Sequence, residues 1–311
     1  MNTLLINPGR RDYFIKYFLD LSKKFHLTLY LIDPNKNIPS FCASKKTKNF
    51  VCPKLKNKKI FKHFLRKFIT KNKIKIVFPF SEYEQEILSL EREYYKKKGV
   101  EIIISNRKTI EICNNKINTY EFLRSIKINS PKLIKYKYIK KNLPMIIKKK
   151  YGSGSKFQSV IKDKNLVPKK NDKKFIYQKF YNYQEYGMDI LNDLNGNFLH
   201  FSVRKKIAMR AGDTDRAIVV NPKRFENLAR KISFNLKHVG NLDIDFLVSK
   251  KKIFVIDLNP RFGGGYPFTH EYGYNYIERL FNLIRKKKNN KFKKFVNKGN
   301  LFTKGITIHK H

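Results

Sequence analysis

Residues 252–267 read K-I-F-V-I-D-L-N-P-R-F-G-G-G-Y-P, the stretch that most restricts what the chain can form. Residues 253–258 have the apolar content of a buried strand. The strand closes on Asp257, Asn259 and Arg261 at alternate positions, followed by Gly263, Gly264 and Gly265. Successive side chains of a strand point to opposite faces, so these three polar groups share one face. Two oxygen donors and a guanidinium then point the same way. A hard cation such as Mg²⁺ takes oxygen donors and keeps substrate phosphates in its remaining positions, and a nearby arginine stabilises charge on a phosphoryl group in transfer. A plain strand ending in a Pro-Gly turn needs fewer polar groups than this.

Against 24 Asp and Glu stand 69 Lys and Arg, a net charge of +45 over 311 residues. Such an excess is the electrostatic footprint of a protein that meets nucleic acid, a membrane surface or an acidic polysaccharide. Its form speaks for another origin. Lysine is spread through every segment, with Asn and Ile abundant beside it, as a genome rich in A and T produces with no selection for a partner. Both origins stay open here, and nucleic acid is not expected as a partner despite the charge. Cys42, Cys52 and Cys113 show no metal spacing and leave one unpaired in any disulfide scheme, which fits a reduced, cytoplasmic compartment. The apolar residues 3–6 are too few for a signal peptide, and no run of about 18 apolar residues occurs, so no membrane span is expected.

The first hundred residues alternate strand and helix patterns. Strands are expected over 3–6, 26–32, 50–51, 74–80 and 100–105, and helices over 13–25, 61–69 and 82–98. Ser81 and Glu84 form a capping box for the last helix, and Gly99 stops it. This order predicts a parallel sheet covered by helices, with ligands at the carboxyl ends of the strands. Asn7 to Arg11, Asp33, Ser81 and Glu82 lie there. The Gly9-Arg10-Arg11 turn either holds an anion at a helix N-terminus or is an ordinary turn. Beyond residue 107 come helices over 107–113 and 116–126, then strands over 143–148, 157–161, 175–180, 185–194 and 198–205. Asn195-Gly196 is a hairpin turn between the last two. A helix over 224–236, a strand over 242–248, a helix over 275–288 and a last strand over 301–309 complete the pattern.

Lys148 ends an apolar strand and opens K-K-K-Y-G-S-G-S-K. Backbone amides can approach phosphate oxygens there because Gly152 and Gly154 have no Cβ. The spacing is not that of a Walker loop, and a flexible hairpin tip is the competing reading. An inward lysine at a strand end needs an anion, which a phosphate would supply. Residues 178–181 leave a strand with open backbone groups that can read an adenine edge, and the Glu185 carboxylate can accept hydrogen bonds from ribose hydroxyls. Asp243 and Asp245 stand at i and i+2 on the strand before the Asp257 strand. Antiparallel pairing would put Asp245 on the face of Asp257 and Asn259, either as a third oxygen donor or as a partner for a lysine.

Taken in order, these pieces resemble the ATP-grasp superfamily, specifically the members similar to the large subunit of carbamoyl phosphate synthase, over residues 114–276. The N-terminal unit looks like the domain that precedes the grasp fold in that group. The resemblance implies an α/β and α+β architecture. A parallel α/β pre-ATP-grasp domain would span 1–110 and a two-subdomain ATP-grasp fold 111–311, with a small lid subdomain over 111–180 and a metal-binding subdomain over 181–311. It implies that Lys116 and Lys148 hold ATP phosphates and that Gly152, Ser153, Gly154 and Ser155 are the phosphate lid. Gln178, Lys179, Phe180 and Tyr181 would be the adenine hinge and Glu185 the ribose carboxylate. Asp245, Asp257 and Asn259 fall on metal positions and Arg261 on a phosphate-facing arginine. Relatives more often carry Gln or Glu at the first metal position and Glu at the second, so both Asp side chains here are shorter. Arg204 and Arg210-Ala211-Gly212 resemble an R-x-x-x-x-x-R-x-G segment near the acyl-phosphate site, which makes Arg204, Arg210 and Arg261 the catalytic candidates. The implied activity is an ATP-dependent carboxylate-amine (or ammonia) ligase that works through an acyl phosphate, with ATP and Mg²⁺ as cofactors, Mn²⁺ as an alternative metal and small-molecule carboxylate and amine substrates. A polyanion-binding or nucleic-acid-binding protein on a non-catalytic grasp scaffold is the competing function. Against it, every implied ATP and metal position carries a competent side chain.

Overall fold

The computed structural model describes residues 1–152, 158–296 and 299–309. The apolar segments of the N-terminal third pair in parallel. Strands β1 (Asn2–Ile6), β2 (Thr28–Asp33), β3 (Lys48–Val51), β4 (Ile76–Pro79) and β5 (Glu101–Ile102) form one sheet in the order β3-β2-β1-β4-β5. Helices α1 (Asp12–Asp20), α2 (Ser22–Phe25), α3 (Pro39–Cys42), α4 (Lys58–Lys71) and α5 (Glu82–Lys97) connect them. The single helix expected over 13–25 is interrupted at Leu21, and His26, in the left-handed region at φ 51°, ends its second part. The capping box forms as the sequence predicts. The Ser81 hydroxyl accepts from the Tyr83 N–H at 3.2 Å, and the Glu84 carboxylate accepts from the Ser81 N–H at 2.7 Å. The strand expected over 100–105 keeps only two ladder residues. Ser105 instead turns its hydroxyl to accept from the Val239 N–H at 3.0 Å, which ties this sheet to the rest of the chain.

Helices α6 (Arg107–Asn114) and α7 (Lys116–Ser125) lead to a small antiparallel sheet of β6 (Met145–Lys149), β7 (Ser159–Ile161) and β8 (Phe175–Lys179), ordered β7-β6-β8. A larger antiparallel sheet follows, made of β9 (Gln184–Asn192), β10 (Phe198–Arg210), β11 (Asp213–Val220), β12 (Gly240–Val248), β13 (Ile253–Asn259) and β14 (Leu301–Thr303). Its order is β13-β12-β9-β10-β11-β14. Helices α8 (Glu226–Leu236), α9 (Tyr266–Glu271) and α10 (Tyr276–Ile284) pack around it. The sequence pattern signalled neither β11 nor α9, and β10 runs five residues past the expected end at 205, to Arg210.

Period-two alternation gives the large sheet two unlike faces. Met188, Ile190, Leu242 and Ile244 pack with Ile232 and Leu236 of α8 in one apolar core. The intervening residues, among them Asp189, Asp243 and Asp245, turn to the opposite face. A second core joins Leu5, Phe14, Phe18 and Phe78 of the N-terminal third to Phe262, Tyr266, Leu280 and Phe281, so the start and end of the chain are packed together. Among the described residues no helix is long and apolar enough to cross a membrane.

Candidate active site

The ladder registers assemble the polar face of the large sheet. Asp245 stands opposite Asp257, and Asp243 opposite Asn259. Gly187 stands opposite both Asp245 and Arg204. One surface therefore carries carboxylates from β9, β12 and β13 and cations from β10.

Arg204 is 1% exposed and forms the centre of this surface. Its Nη1 donates to Asp189 at 2.5 Å and its Nη2 to Asp243 at 2.6 Å. Asp189 also accepts from the Thr269 hydroxyl at 2.6 Å and the Asn241 amide at 3.0 Å. Burial by itself would lower the Arg204 pKa, but the facing carboxylates hold it above its usual value. Burial pushes Asp243 up to about 6 in spite of Arg204. The glycines of residues 263–265 serve these groups. A Cβ on Gly265 would stand 1.8 Å from Arg204 Nη2, on Gly263 1.9 Å from Asp243 Oδ2, and on Gly264 1.8 Å from Asp213 Oδ1. The space that a missing Cβ leaves is filled here by the chain's own ionic side chains.

Lys206, two residues along β10, is 6% exposed. Its ammonium lies 2.6 Å from Glu185 and 2.6 Å from Asp245. Burial alone would push the Asp245 carboxyl up. The Lys206 ammonium outweighs that and holds it below the usual carboxylate range. Lys116, at the start of α7, reaches Asp257 at 3.1 Å and the Gly152 carbonyl at 3.0 Å, which ties the glycine-rich segment to β13. Each candidate metal carboxylate thus already faces an ammonium. Among the described residues no three His, Cys, Asp or Glu side chains converge as a ready cation site. The donor set on the face is two carboxylates and the Asn259 amide, all hard oxygen donors suited to Mg²⁺.

Lys148, on β6, is 4% exposed, and its ammonium has no hydrogen bond or ion pair among the described residues. Burial pushes its ammonium down to about 8, while the Asp257 charge pulls the other way. Arg261 is buried and donates to the Phe262 carbonyl at 3.2 Å. Arg210 stands at the exposed end of β10, 2.9 Å from Asp215.

A cleft of about 2430 Å³ is lined by the Asn7 to Arg11 turn, by this sheet face and by the C-terminal residues from Thr303 onward. It brings together Lys116, Lys148, Gly152, Glu185, Asp245, Asp257, Asn259 and the three candidate arginines. Residues 178–181 do not line it. The Gln178 amide donates to the Pro131 carbonyl at 3.1 Å, and the Lys179 ammonium to the carbonyls of Asn142 and Leu143 at 3.0 and 3.2 Å. Tyr181 stacks on Phe254 with ring centroids 4.7 Å apart. Those side chains are engaged in the fold, so any ligand there meets backbone. Ser153, Gly154 and Ser155 lie outside the described residues. Lys206 and Asp213 also line the cleft, and the sequence reading singled out neither. In a chain where lysine is everywhere, only the alternation of Arg204 with Lys206 on one strand could have marked the first.

The comparisons with known proteins agree with this architecture. Residues 113–265 match the model of the ATP-grasp domain. The uncharacterized protein MJ0776 of Methanocaldococcus jannaschii is 28% identical over 239 residues, which cover 71% of this chain and 58% of that protein. The chain therefore spans less than two thirds of the length of that relative. Among solved structures, N5-carboxyaminoimidazole synthetase from Staphylococcus aureus superposes with a TM-score of 0.69 at 14% identity, over 93% of this chain and 78% of that one. Biotin carboxylase from Campylobacter jejuni, in a complex with β,γ-ATP, gives 0.71 at 14% identity over 97% and 74%. The biotin carboxylase domain of Hydrogenobacter thermophilus 2-oxoglutarate carboxylase, bound to MgADP and bicarbonate, gives 0.72 at 13% identity over 92% and 70%. At these identities the likeness is one of fold.

Proposed function

Residues 113–265 are an ATP-grasp domain, and from that premise we propose that the chain is an ATP-dependent ligase that joins a carboxylate to an amine or ammonia through an acyl phosphate. The observation that carries this reading is Lys148, a buried lysine whose ammonium has no ion pair among the described residues, in the cleft that also holds Lys116, Asp245 and Asp257. A buried unpaired charge is unfavourable, and a phosphate oxygen would relieve it.

In this reading Lys116 and Lys148 hold the ATP phosphates, and Gly152 to Ser155 cover them as a lid. Residues 178–181 read the adenine through their backbone, and Glu185 accepts from the ribose. Asp245, Asp257 and Asn259 would hold Mg²⁺, or Mn²⁺, which when bound screens the charge on the phosphates. Lys206 and Lys116 compete with the metal for both carboxylates, and the phosphates offer those ammoniums new partners. A carboxylate oxygen of the substrate forms a bond to the γ-phosphorus as the bond to the β-phosphate oxygen breaks, releasing ADP. Arg261 faces the transferring group, and Arg204 and Arg210 stand on the acceptor side. An amine then attacks the acyl carbon and phosphate leaves. Such catalysis is mostly positioning and charge stabilisation. Residues 1–110 would supply the wall that reads the acceptor, 111–180 the lid and 181–311 the floor. Cys42, Cys52 and Cys113 form no disulfide, in keeping with a cytoplasmic enzyme.

Purified protein with ATP, Mg²⁺ and pooled carboxylates and amines is expected to release ADP and phosphate, and Asp257→Ala to abolish the release. A wild type that neither binds nucleotide nor releases ADP with any pool overturns the proposal.

A further inference from the structure

One corner of the cleft is built from residues to which no ATP-handling role falls. β14 pairs antiparallel with β11, Thr303 opposite Arg216 and Leu301 opposite Ile218, and the following residues run back along the cleft as a strap. The Lys304 ammonium contacts the Gly264 carbonyl and lies 3.2 Å from Asp213. The His309 ring nitrogen lies 3.1 Å from Asp12. Lys304 thus comes to the cleft from the C-terminal end of the chain while Arg11 and Tyr13 come from its start.

Three observations in this corner point to a missing anion. First, cations crowd here. Burial lowers the Arg11 pKa, and the Arg261 charge lowers it further. Burial likewise lowers that of Lys304. Second, the carboxylates here already have partners. Asp213 faces both Arg11 and Lys304, Glu82 faces Arg11 from the start of α5, Asp12 beside Tyr13 is held by His309, and Asp243 is bound to Arg204. Third, the Tyr13 hydroxyl is shielded from solvent and has no hydrogen-bond partner among the described residues, with the Lys304 ammonium 5.6 Å from its ring centroid. A shielded donor without an acceptor is rare in folded proteins and calls for an explanation.

We propose that Arg11, Tyr13 and Lys304 form an anion subsite that holds a carboxylate or phosphate group of the acceptor substrate, distinct from the group that is phosphorylated. An oxyanion placed there accepts from the Tyr13 hydroxyl and takes charge-assisted hydrogen bonds from the Lys304 ammonium and the Arg11 guanidinium. The strap borne on β14 closes the subsite, because Lys304 reaches it only while β14 is paired to β11. The place of this subsite in a reaction rests on the ligase reading. Its ability to bind an anion does not.

The test is calorimetric titration of the full chain with inorganic phosphate and, separately, with succinate, with and without saturating ADP and Mg²⁺. Saturable binding of at least one probe is expected, and the stronger probe identifies the group as phosphoryl or carboxylate. Lys304→Met and Tyr13→Phe should each weaken that binding by about tenfold or more, Lys304→Arg should restore most of it, and ADP affinity should stay unchanged. Failure of both probes to saturate, or binding that Lys304→Met and Tyr13→Phe leave intact, overturns the subsite. Loss of ADP binding in the wild type with anion binding kept would overturn the ligase reading alone.

Discussion

The ammonium of Lys206 lies 2.6 Å from an oxygen of Asp245 and 2.6 Å from an oxygen of Glu185, so one buried cation spans two carboxylates that the proposed mechanism assigns to the metal and the ribose. A divalent cation at Asp245 competes with that ammonium for the carboxylate charge. Mn²⁺ alone should therefore bind wild type weakly and bind better when nucleotide phosphates draw Lys206 away. Lys206→Met removes the competitor, and affinity for Mn²⁺ without nucleotide should rise by about tenfold or more. Paramagnetic resonance titration of free Mn²⁺ reads this directly, and equal affinity in both proteins would count against the competition.

Lys148 carries a pH signature. Burial lowers its pKa from 10.5 to about 8, so the folded chain holds this proton less tightly than the unfolded one. Unfolding then takes up a proton between those values, and stability rises with pH across that window; below about 8 the buried charge destabilises the fold. Lys148→Met should be more stable than wild type at pH 7, and the difference should shrink as pH climbs toward 10.5. Urea unfolding of both proteins at pH 7 and pH 10 measures it. Nucleotide affinity of the wild type should fall above about pH 8, where the ammonium is lost.

Arg204 holds two buried carboxylates, and its removal leaves both without a counter-charge. Arg204→Ala should destabilise the fold by about 3–5 kcal/mol in urea unfolding. Gly265→Ala puts a Cβ 1.8 Å from Arg204 Nη2 and should destabilise by about 1–3 kcal/mol through the same group. Combining the two should cost less than the sum, because the clash disappears with the guanidinium.

The parts of this site that could be read in the chain are those with local causes. Asp257 and Asn259 share a face because strand side chains alternate, and the Ser81 and Glu84 box closes within a single turn of helix. Arg261 lies past the end of β13, in a turn where its N–H donates to the Asn259 carbonyl at 2.8 Å, so alternation does not place it. The antiparallel partner of Asp257 was legible as well, since only a four-residue turn separates the two strands. What could not be read depends on long-range pairing. β11 begins D-T-D-R, polar residues that become a strand only because β10 and β14 flank it. Lys206 looks like any other lysine until β10 sets it between Asp245 and Glu185. Lys304 is 291 positions from Tyr13 in sequence and meets it only through the shared fold. Gly263, Gly264 and Gly265 are of the same kind, because their missing Cβ atoms make room for Asp243, Asp213 and Arg204, which come from other strands.

Nucleotide binding tests the proposed ATP site most directly. Titration calorimetry of the purified chain with ADP and Mg²⁺ at pH 7 should give saturable binding that Lys148→Met and Asp257→Asn each weaken by about tenfold or more. Arg230→Ala, at an exposed pair with Glu226 on α8, should bind as wild type does. No binding by the wild type, or binding that survives both cleft substitutions unchanged, would contradict an ATP site built on Lys148 and Asp257.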